Sequence, residues 1–298
     1  MTSPPALRTD PATQVDLERY PLLTPEHPRY QAAVAQAQRQ MRSTGAAEID
    51  GFLHPDALSL LVADAEALAP RAHHSAGEGT AYLEFPDFSL PAGHPRLRFA
   101  PYSVGAVGYD VIPRTSLLRL LYEWDPMKNF IEAALERGPI YRYGDPFGAL
   151  NLAVMGQGEQ LQWHFDQTDF VVSLVIQSAE CGGDFEVVPR IRRADDECYD
   201  EVAAVLRGEQ GQVETLAMTP GTLLLFEGRY SLHRVSPIGG ERWRHVGLLA
   251  YDTKPGTMGS DLLRADRYGR TEPFVEPPEN WPAVGATTGN GPGGETNG

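Results

Sequence analysis

His164 and Asp166 stand two apart in "QLQWHFDQTDFVVSLVIQ", inside a run that otherwise has the apolar, β-branched character of a buried strand. Side chains on a strand alternate faces, so an imidazole and a carboxylate at this spacing share one face, while Trp163, Phe165 and Gln167 take the other. Such a pair could be part of a divalent-metal site. The spacing alone decides nothing, because His54-Pro55-Asp56 repeats it. There, Pro suits a first helical turn and Asp suits a helix N-terminus, so His54 and Asp56 read as capping and surface residues.

What distinguishes the first pair is a later stretch, "TPGTLLLFEGRYSLHRVSPIGGERWRHVGLLAYD", which carries His233 on a separate short strand. Two imidazoles and one carboxylate can fill one face of an octahedral metal and leave three cis positions open, the arrangement of non-haem Fe(II) oxygenases. A structural zinc would want a fourth ligand, and none is evident; Cys181 and Cys198 read as packed thiols. Open positions also need something to fill them. Arg242 and Arg244 have the same strand parity, and a guanidinium fork suits bidentate capture of a carboxylate such as the distal one of 2-oxoglutarate. Val246, Leu248 and Ala250 continue that face and would make an apolar wall.

These residues must be held by a sheet, and from about Tyr141 the chain is β-rich. "ALNLAVM", "LQWHFD", "FVVSLVIQ", "DFEVVP", "VETLAM", "TLLLFEG", "SLHRVSP" and "RHVGLLAYD" are short runs separated by Gly, Pro or Asp turns. One helix interrupts them, "DDECYDEVAAVLRG". Before Tyr141 the periodicity is helical. A helix begins near Thr24 with Tyr30, Val34 and Met41 on a stripe; a second has Leu58, Leu61, Val62, Ala65 and Leu68 in register and stops at Pro70. A third stretch is broken at Pro126 and ends by Gly138. The expected class is α+β: a double-stranded β-helix, or jelly roll of cupin type, buttressed by N-terminal helices. Residues 21–270 form one domain, with the buttress over about 21–140 and the jelly-roll core over about 141–256. Residues 1–20 and 271–298 read as disordered ends.

The charge sum is −15, from 25 basic and 40 acidic residues, and a field of that sign repels a polyanion, so no nucleic-acid partner is expected. No run is apolar enough for a membrane span, and the first residues lack the order of a signal peptide, so a cytoplasmic protein is expected. A monomer or homodimer is expected as well.

The order His164-x-Asp166, His233, then arginine nine to eleven residues on, resembles the Fe(II)/2-oxoglutarate-dependent oxygenase superfamily. "IDGFLHPDALSLL" is similar to the lead-in of its prolyl-hydroxylase-like members. More narrowly, "WHFDQTDFVVSLVIQSAECGGDFEVVPRIRRADDECYDEVAAVL" and "GTLLLFEGRYSLHRVSPIGGERWRHVGLLAYDTKPG" resemble the free-amino-acid radical halogenases and their hydroxylase relatives, over about 141–256 and more loosely over 45–140. The resemblance implies Fe(II), 2-oxoglutarate as co-substrate and O2, with release of succinate and CO2, in secondary metabolism. It makes His164, Asp166 and His233 the iron ligands and Arg244 the co-substrate anchor, with Arg242 as the second candidate. The halogenases carry Gly or another non-ligand where Asp166 stands, so the resemblance here implies a hydroxylase of a small metabolite such as a free amino acid. Desaturation, cyclisation or halogenation are the alternatives on the same cofactors, and a non-catalytic jelly-roll binding protein is the alternative from another class. Substrate-facing candidates are Asp145, Arg98 (or Arg96), Trp163 and Trp243, and glycine-rich loops between residues 70 and 112 are lid material.

Overall fold

The structure, a computed structural model, describes residues 10–209, 211 and 213–274. After a 3-10 turn at Pro11–Thr13 come α1 (Pro28–Thr44), β1 (Ala46–Ile49) and α2 (Pro55–Leu68). A hairpin of β2 (His73–Thr80) and β3 (Phe99–Val107) leads to α3 (Leu117–Glu123) and α4 (Asp125–Leu135). Then follow β4 (Tyr141–Arg142), β5 (Leu150–Met155), β6 (Leu161–His164), β7 (Val171–Gln177), β8 (Cys181–Gly182) and β9 (Phe185–Val188). Past α5 (Tyr199–Leu206) lie β10 (Glu214–Leu216), β11 (Leu223–Phe226), β12 (Leu232–Val235), β13 (Ile238–Gly239), β14 (Arg244–Leu249) and β15 (Tyr251–Asp252). Helix α6 (Asp261–Tyr268) comes last.

Seven strands form a major sheet in the order β1-β11-β7-β14-β5-β3-β2, and four form a minor sheet, β10-β9-β12-β6. The pairs β13-β8 and β15-β4 are two-stranded ribbons. Every one of these pairings is antiparallel. Strands β5 and β7 are buried on both faces for a visible reason. Leu150, Leu152, Val154, Val172, Leu174 and Ile176 pack into the core shared with the helices, while Ala153 and Met155 turn into the space between the sheets. Sandwiched strands of this kind lose the polar alternation of a half-exposed sheet.

The buttress follows from capping as well as periodicity. His27 accepts the Arg29 N–H at the start of α1, Pro28 fills its first turn, and Gly45 ends it in the left-handed region at φ 74°. The helix therefore starts at Pro28, one turn later than the Thr24 start the sequence suggested, and buries Tyr30, Val34, Ala37 and Met41. His54 and Asp56 lie at the start of α2, which buries Ala57, Leu61, Ala65 and Leu68. Pro126 falls in the first turn of α4, so the third helical stretch is two helices.

Three expectations are corrected. Residues 10–20 are not a loose end: Val15 bridges Leu53, and Tyr20 is buried against Phe52 and Phe130. A few large side chains with long-range partners outweigh a Pro- and Thr-rich composition; residues 1–9 lie outside the described residues. Residues 73–80 and 99–107, expected as buttress and lid loops, are strands that extend the major sheet. Gly77 and Gly79 sit in β2, where side chains would meet the Tyr102 ring and the Gln162 amide, so these glycines mark close packing. The tail expectation holds for no part of 271–274, where Phe274 N–H donates to Asp110, and its remainder, 275–298, lies outside the described residues.

Candidate metal centre

His164 ends β6 and sits directly opposite His233 of β12. A bulge makes this possible. Val235 pairs with Leu161, so three steps on β6 oppose two on β12, and the extra residue turns both Leu161 and His164 toward the inter-sheet space. Trp163 and Phe165 face the other way, into an outer cluster with Tyr82 and Val202. Asp166 lies just past the strand, its N–H donating to the Gly228 carbonyl at 3.0 Å.

The two imidazole centroids are 4.2 Å apart, and His233 is wedged between Phe226 and Phe185 at 4.8 and 5.4 Å. Each Nδ1 lies against the backbone carbonyl two residues earlier, His164 against Gln162 at 2.8 Å and His233 against Ser231 at 3.0 Å. A carbonyl only accepts, so each Nδ1 donates to it, and Nε2 is the atom of each ring left to ligate a metal. Both Nε2 atoms address one carboxylate: His164 is 3.8 Å from Asp166 Oδ1 and His233 is 3.5 Å from Oδ2. One donor atom from each of the three residues falls within 4.8 Å of the others, which makes this set able to hold a metal ion. Burial, first, and the adjacent His233 push the His164 pKa down to about 4. Asp166 and the Gln162 carbonyl oppose the shift, and Arg267 adds a further downward push. The ring is therefore neutral, as a metal ligand must be.

Arg244 opens β14 opposite Met155 and is 6% exposed. Its only polar contact among the described residues is the Met155 sulfur at 3.9 Å, and burial pushes its pKa down to about 10. A buried guanidinium without a carboxylate is costly unless an anion completes it. Arg242 is a different case. It precedes β14, is exposed, and donates to the carbonyls of Ser178 and Ala179 at 3.1 Å each. The shared parity ends there, because the turn through Glu241 to Trp243 is not strand.

The wall beyond Arg244 is more polar than expected. Leu248 does pack inward, but register places Ser173 and Asn151 on either side of it, and Asn151 Oδ1 is buried without a hydrogen-bond partner among the described residues. Sequence reading missed both, since each looks like an ordinary polar interruption of a strand.

The four substrate candidates have other occupations. Asp145 is 2% exposed in its side chain, accepts the N–H groups of Phe147, Gly148 and Gly259, and pairs with Arg264 at 3.1 Å. Trp163 lies on the outer face under Arg234, whose guanidinium carbon is 4.8 Å from its ring centroid. Trp243 is 38% exposed and lies against Gly156 and the edge of His74. Arg98 is exposed beside the 3-10 turn before β3, and Arg96 bonds Tyr199 and Glu84. Among the described residues, no hydrogen bond, ion pair or ring contact joins any of these side chains to His164, Asp166 or His233. Cys181 is exposed and Cys198 intermediate, so neither is a core thiol.

The family model described as Halogenase D matches residues 95–259, more than half of the chain and a span that includes His164, Asp166, His233 and Arg244. No curated protein matches. Among solved structures, AviO1 from Streptomyces viridochromogenes Tue57 is similar at 21% identity and a TM-score of 0.51, over 75% of this chain and 96% of that one. SnoN, a non-heme alpha ketoglutarate dependent epimerase from nogalamycin biosynthesis, is similar at 12% identity and 0.54, over 83% and 92%. These two likenesses are in fold. With the matched segment spanning the whole inter-sheet site, the chain belongs to the Halogenase D family, within the superfamily of Fe(II)/2-oxoglutarate-dependent oxygenases.

Proposed function

We propose that this chain hydroxylates an unactivated C–H bond of a small metabolite, a free amino acid or a derivative of one, with Fe(II), 2-oxoglutarate and O2. The observation that carries the reading is the Asp166 carboxylate, 3.8 and 3.5 Å from the two Nε2 atoms, where a halide would have to stand for the family's other outcome. The residues fit the cofactors. Two imidazoles and a carboxylate are the donor set of the facial triad, and Arg244 is a buried cation able to meet a distal carboxylate. Bound together, iron and 2-oxoglutarate supply oxidative decarboxylation to succinate and CO2 and the power to break a C–H bond.

The chain's own part is positioning. The Gln162 and Ser231 carbonyls hold the rings, Gly228 leaves room for the carboxylate, and Phe185 and Phe226 keep water from His233. Asn151 and Ser173 line the wall on which a polar end of substrate or co-substrate would rest. Anaerobic Fe(II) and 2-oxoglutarate should give a charge-transfer band that shifts when an amino acid binds, and admission of O2 should add about 16 mass units to that amino acid, not remove about 2 as desaturation would. Asp166→Ala should abolish hydroxylation. A fully active Asp166→Ala enzyme, or chlorinated product from the wild type, would sink the reading.

A further inference from the structure

We propose that Asn151 and Ser173 bind a primary carboxamide of the substrate, so that the metal centre acts on an amide-bearing metabolite: an amino acid with an amide side chain, or one whose carboxyl group is amidated. The inference rests on the oxygenase reading above and deepens it.

The two residues stand in one row of the major sheet. Leu248 of β14 has Asn151 of β5 as its register partner on one side and Ser173 of β7 on the other. Residues directly opposite on neighbouring strands share a face. Ala153 and Met155, at the parity of Asn151, pack between the sheets, whereas Val172 and Leu174, on either side of Ser173, pack against the helices. Asn151 and Ser173 therefore face the inter-sheet space. The row reaches the metal ligands through contacts: Ser173 pairs with Leu224, and Phe226, next along that face of β11, lies edge-on to His233 at 4.8 Å. Leu248 is half-buried although β14 is the central strand of seven, so open space stands over the row.

Asn151 is 8% exposed and Ser173 7%, yet neither the Asn151 amide nor the Ser173 hydroxyl makes a hydrogen bond among the described residues. Two such groups in a wall of Ala153, Val246 and Leu224 are costly until something completes them. Their donors and acceptors say what that is. A carboxylate accepts from Nδ2 and from the hydroxyl but leaves Oδ1 unpaired, and an ammonium donates to Oδ1 but leaves Nδ2 unpaired. 2-Oxoglutarate, which has no donor, fails in the same way. A hydroxyl carries its donor and acceptors on one atom, which cannot meet Oδ1 and Nδ2 in line at once. A primary carboxamide accepts from Nδ2, donates one N–H to Oδ1 and offers the other to Ser173, and it does so whichever way the Asn151 amide is turned. The gap suits it, because the two backbones are two strand spacings apart, roughly 10 Å, with a short side chain at each end. Charges in register on this face are remote. Arg244 is four residues along β14, roughly 13 Å away, and Glu48 is at the sheet edge three strands from Leu248, roughly 14 Å. The wall is thus built for a neutral group.

The test is an anaerobic titration of the full-length Fe(II)·2-oxoglutarate protein, reading the charge-transfer band. Probes are L-asparagine and L-glutamine against L-aspartate and L-glutamate, and L-leucinamide against L-leucine. At least one amide should shift the band with its acid counterpart at least about tenfold weaker, and the pair that responds tells a side-chain amide from an amidated carboxyl group. Asn151→Leu should weaken that amide about 10- to 100-fold and Ser173→Ala about 3- to 10-fold, while 2-oxoglutarate affinity stays within about twofold. The cofactor-free Asn151→Leu protein should melt no lower than the wild type, because an amide without partners is replaced by an apolar side chain of similar size. Acids binding as tightly as their amides, amide affinity unaltered in both variants, a loss of 2-oxoglutarate affinity in its place, or no response from any amide overturns the proposal. A wild type that never forms the band with 2-oxoglutarate overturns the oxygenase reading, and the amide assignment falls with it.

Discussion

At Gly228 a missing side chain is what the candidate metal centre requires. Its φ is unremarkable, but a Cβ there would overlap the Asp166 carboxylate, whose N–H is tied to the Gly228 carbonyl. Gly228→Ala should displace the carboxylate and lower metal affinity about 10- to 100-fold, read by competition with a chromophoric chelator, while the circular dichroism of the fold persists. Arg244 trades the other way. Burying it without a carboxylate costs stability, so Arg244→Met should leave the cofactor-free protein at least as stable, while 2-oxoglutarate affinity falls at least about 100-fold. Calorimetry on both variants checks the pair of effects. His245, next along, faces the helical core through its register with Val154, and its Nδ1 has no partner among the described residues. Burial holds its pKa down to about 4, below the usual 6.5, so the unfolded chain takes up the proton first as pH falls. Its contribution is whole above about pH 6.5 and is lost toward pH 4, on the order of 3 kcal/mol. Urea unfolding at several pH values should show a smaller acid loss in His245→Leu.

Among the elements, α6 depends on one carboxylate. Asp145, before β5, binds Gly259 N–H ahead of the helix and Arg264 within it, so the loop between β4 and β5 clamps the segment that follows β15. Five donors on a buried carboxylate lower its pKa against the pull of burial, with the backbone N–H groups of Gly148, Phe147 and Gly259 ahead of Arg264. Asp145→Ala leaves Arg264 and those N–H groups without their acceptor, a loss of about 3 kcal/mol or more. Hydrogen exchange should rise over residues 256–268 before the rest of the fold responds. At the sheet's other face, a Cβ on Gly247 would stand 2.6 Å from Leu118 Cδ1 of α3, so the glycine marks a close approach of that helix to the sheet.

The described residues form one sandwich in which the candidate ligands come from β6, the turn just after it and β12 of the minor sheet, and the buried arginine from β14 of the major sheet. A metal and an anion that bridge the two sheets bind the folded chain and not the unfolded one. At about 100 times its dissociation constant, such a ligand should add about 2.7 kcal/mol. Mn(II) with 2-oxoglutarate should raise the melting temperature, EDTA should return it, and Asp166→Ala should not respond. Among the described residues no helix is long and apolar enough to cross a membrane.

The sequence by itself determined the strand pattern, the pairing of His164 with Asp166 on one face, and the candidate status of His233, because side-chain alternation and turn residues are local properties. Local rules could not reveal the bulge before His164, the Gln162 and Ser231 carbonyls, or that Arg242 leaves the strand that Arg244 begins. Those depend on which strand lies opposite. The same holds for Asp145, whose acidity suggested a substrate contact until its partners 114 and 119 positions away were brought to it. Register between distant strands, and the packing of α6 against the hairpin, are set by long-range burial, and so tertiary structure alone decided which polar residues face the metal centre and which hold the barrel together.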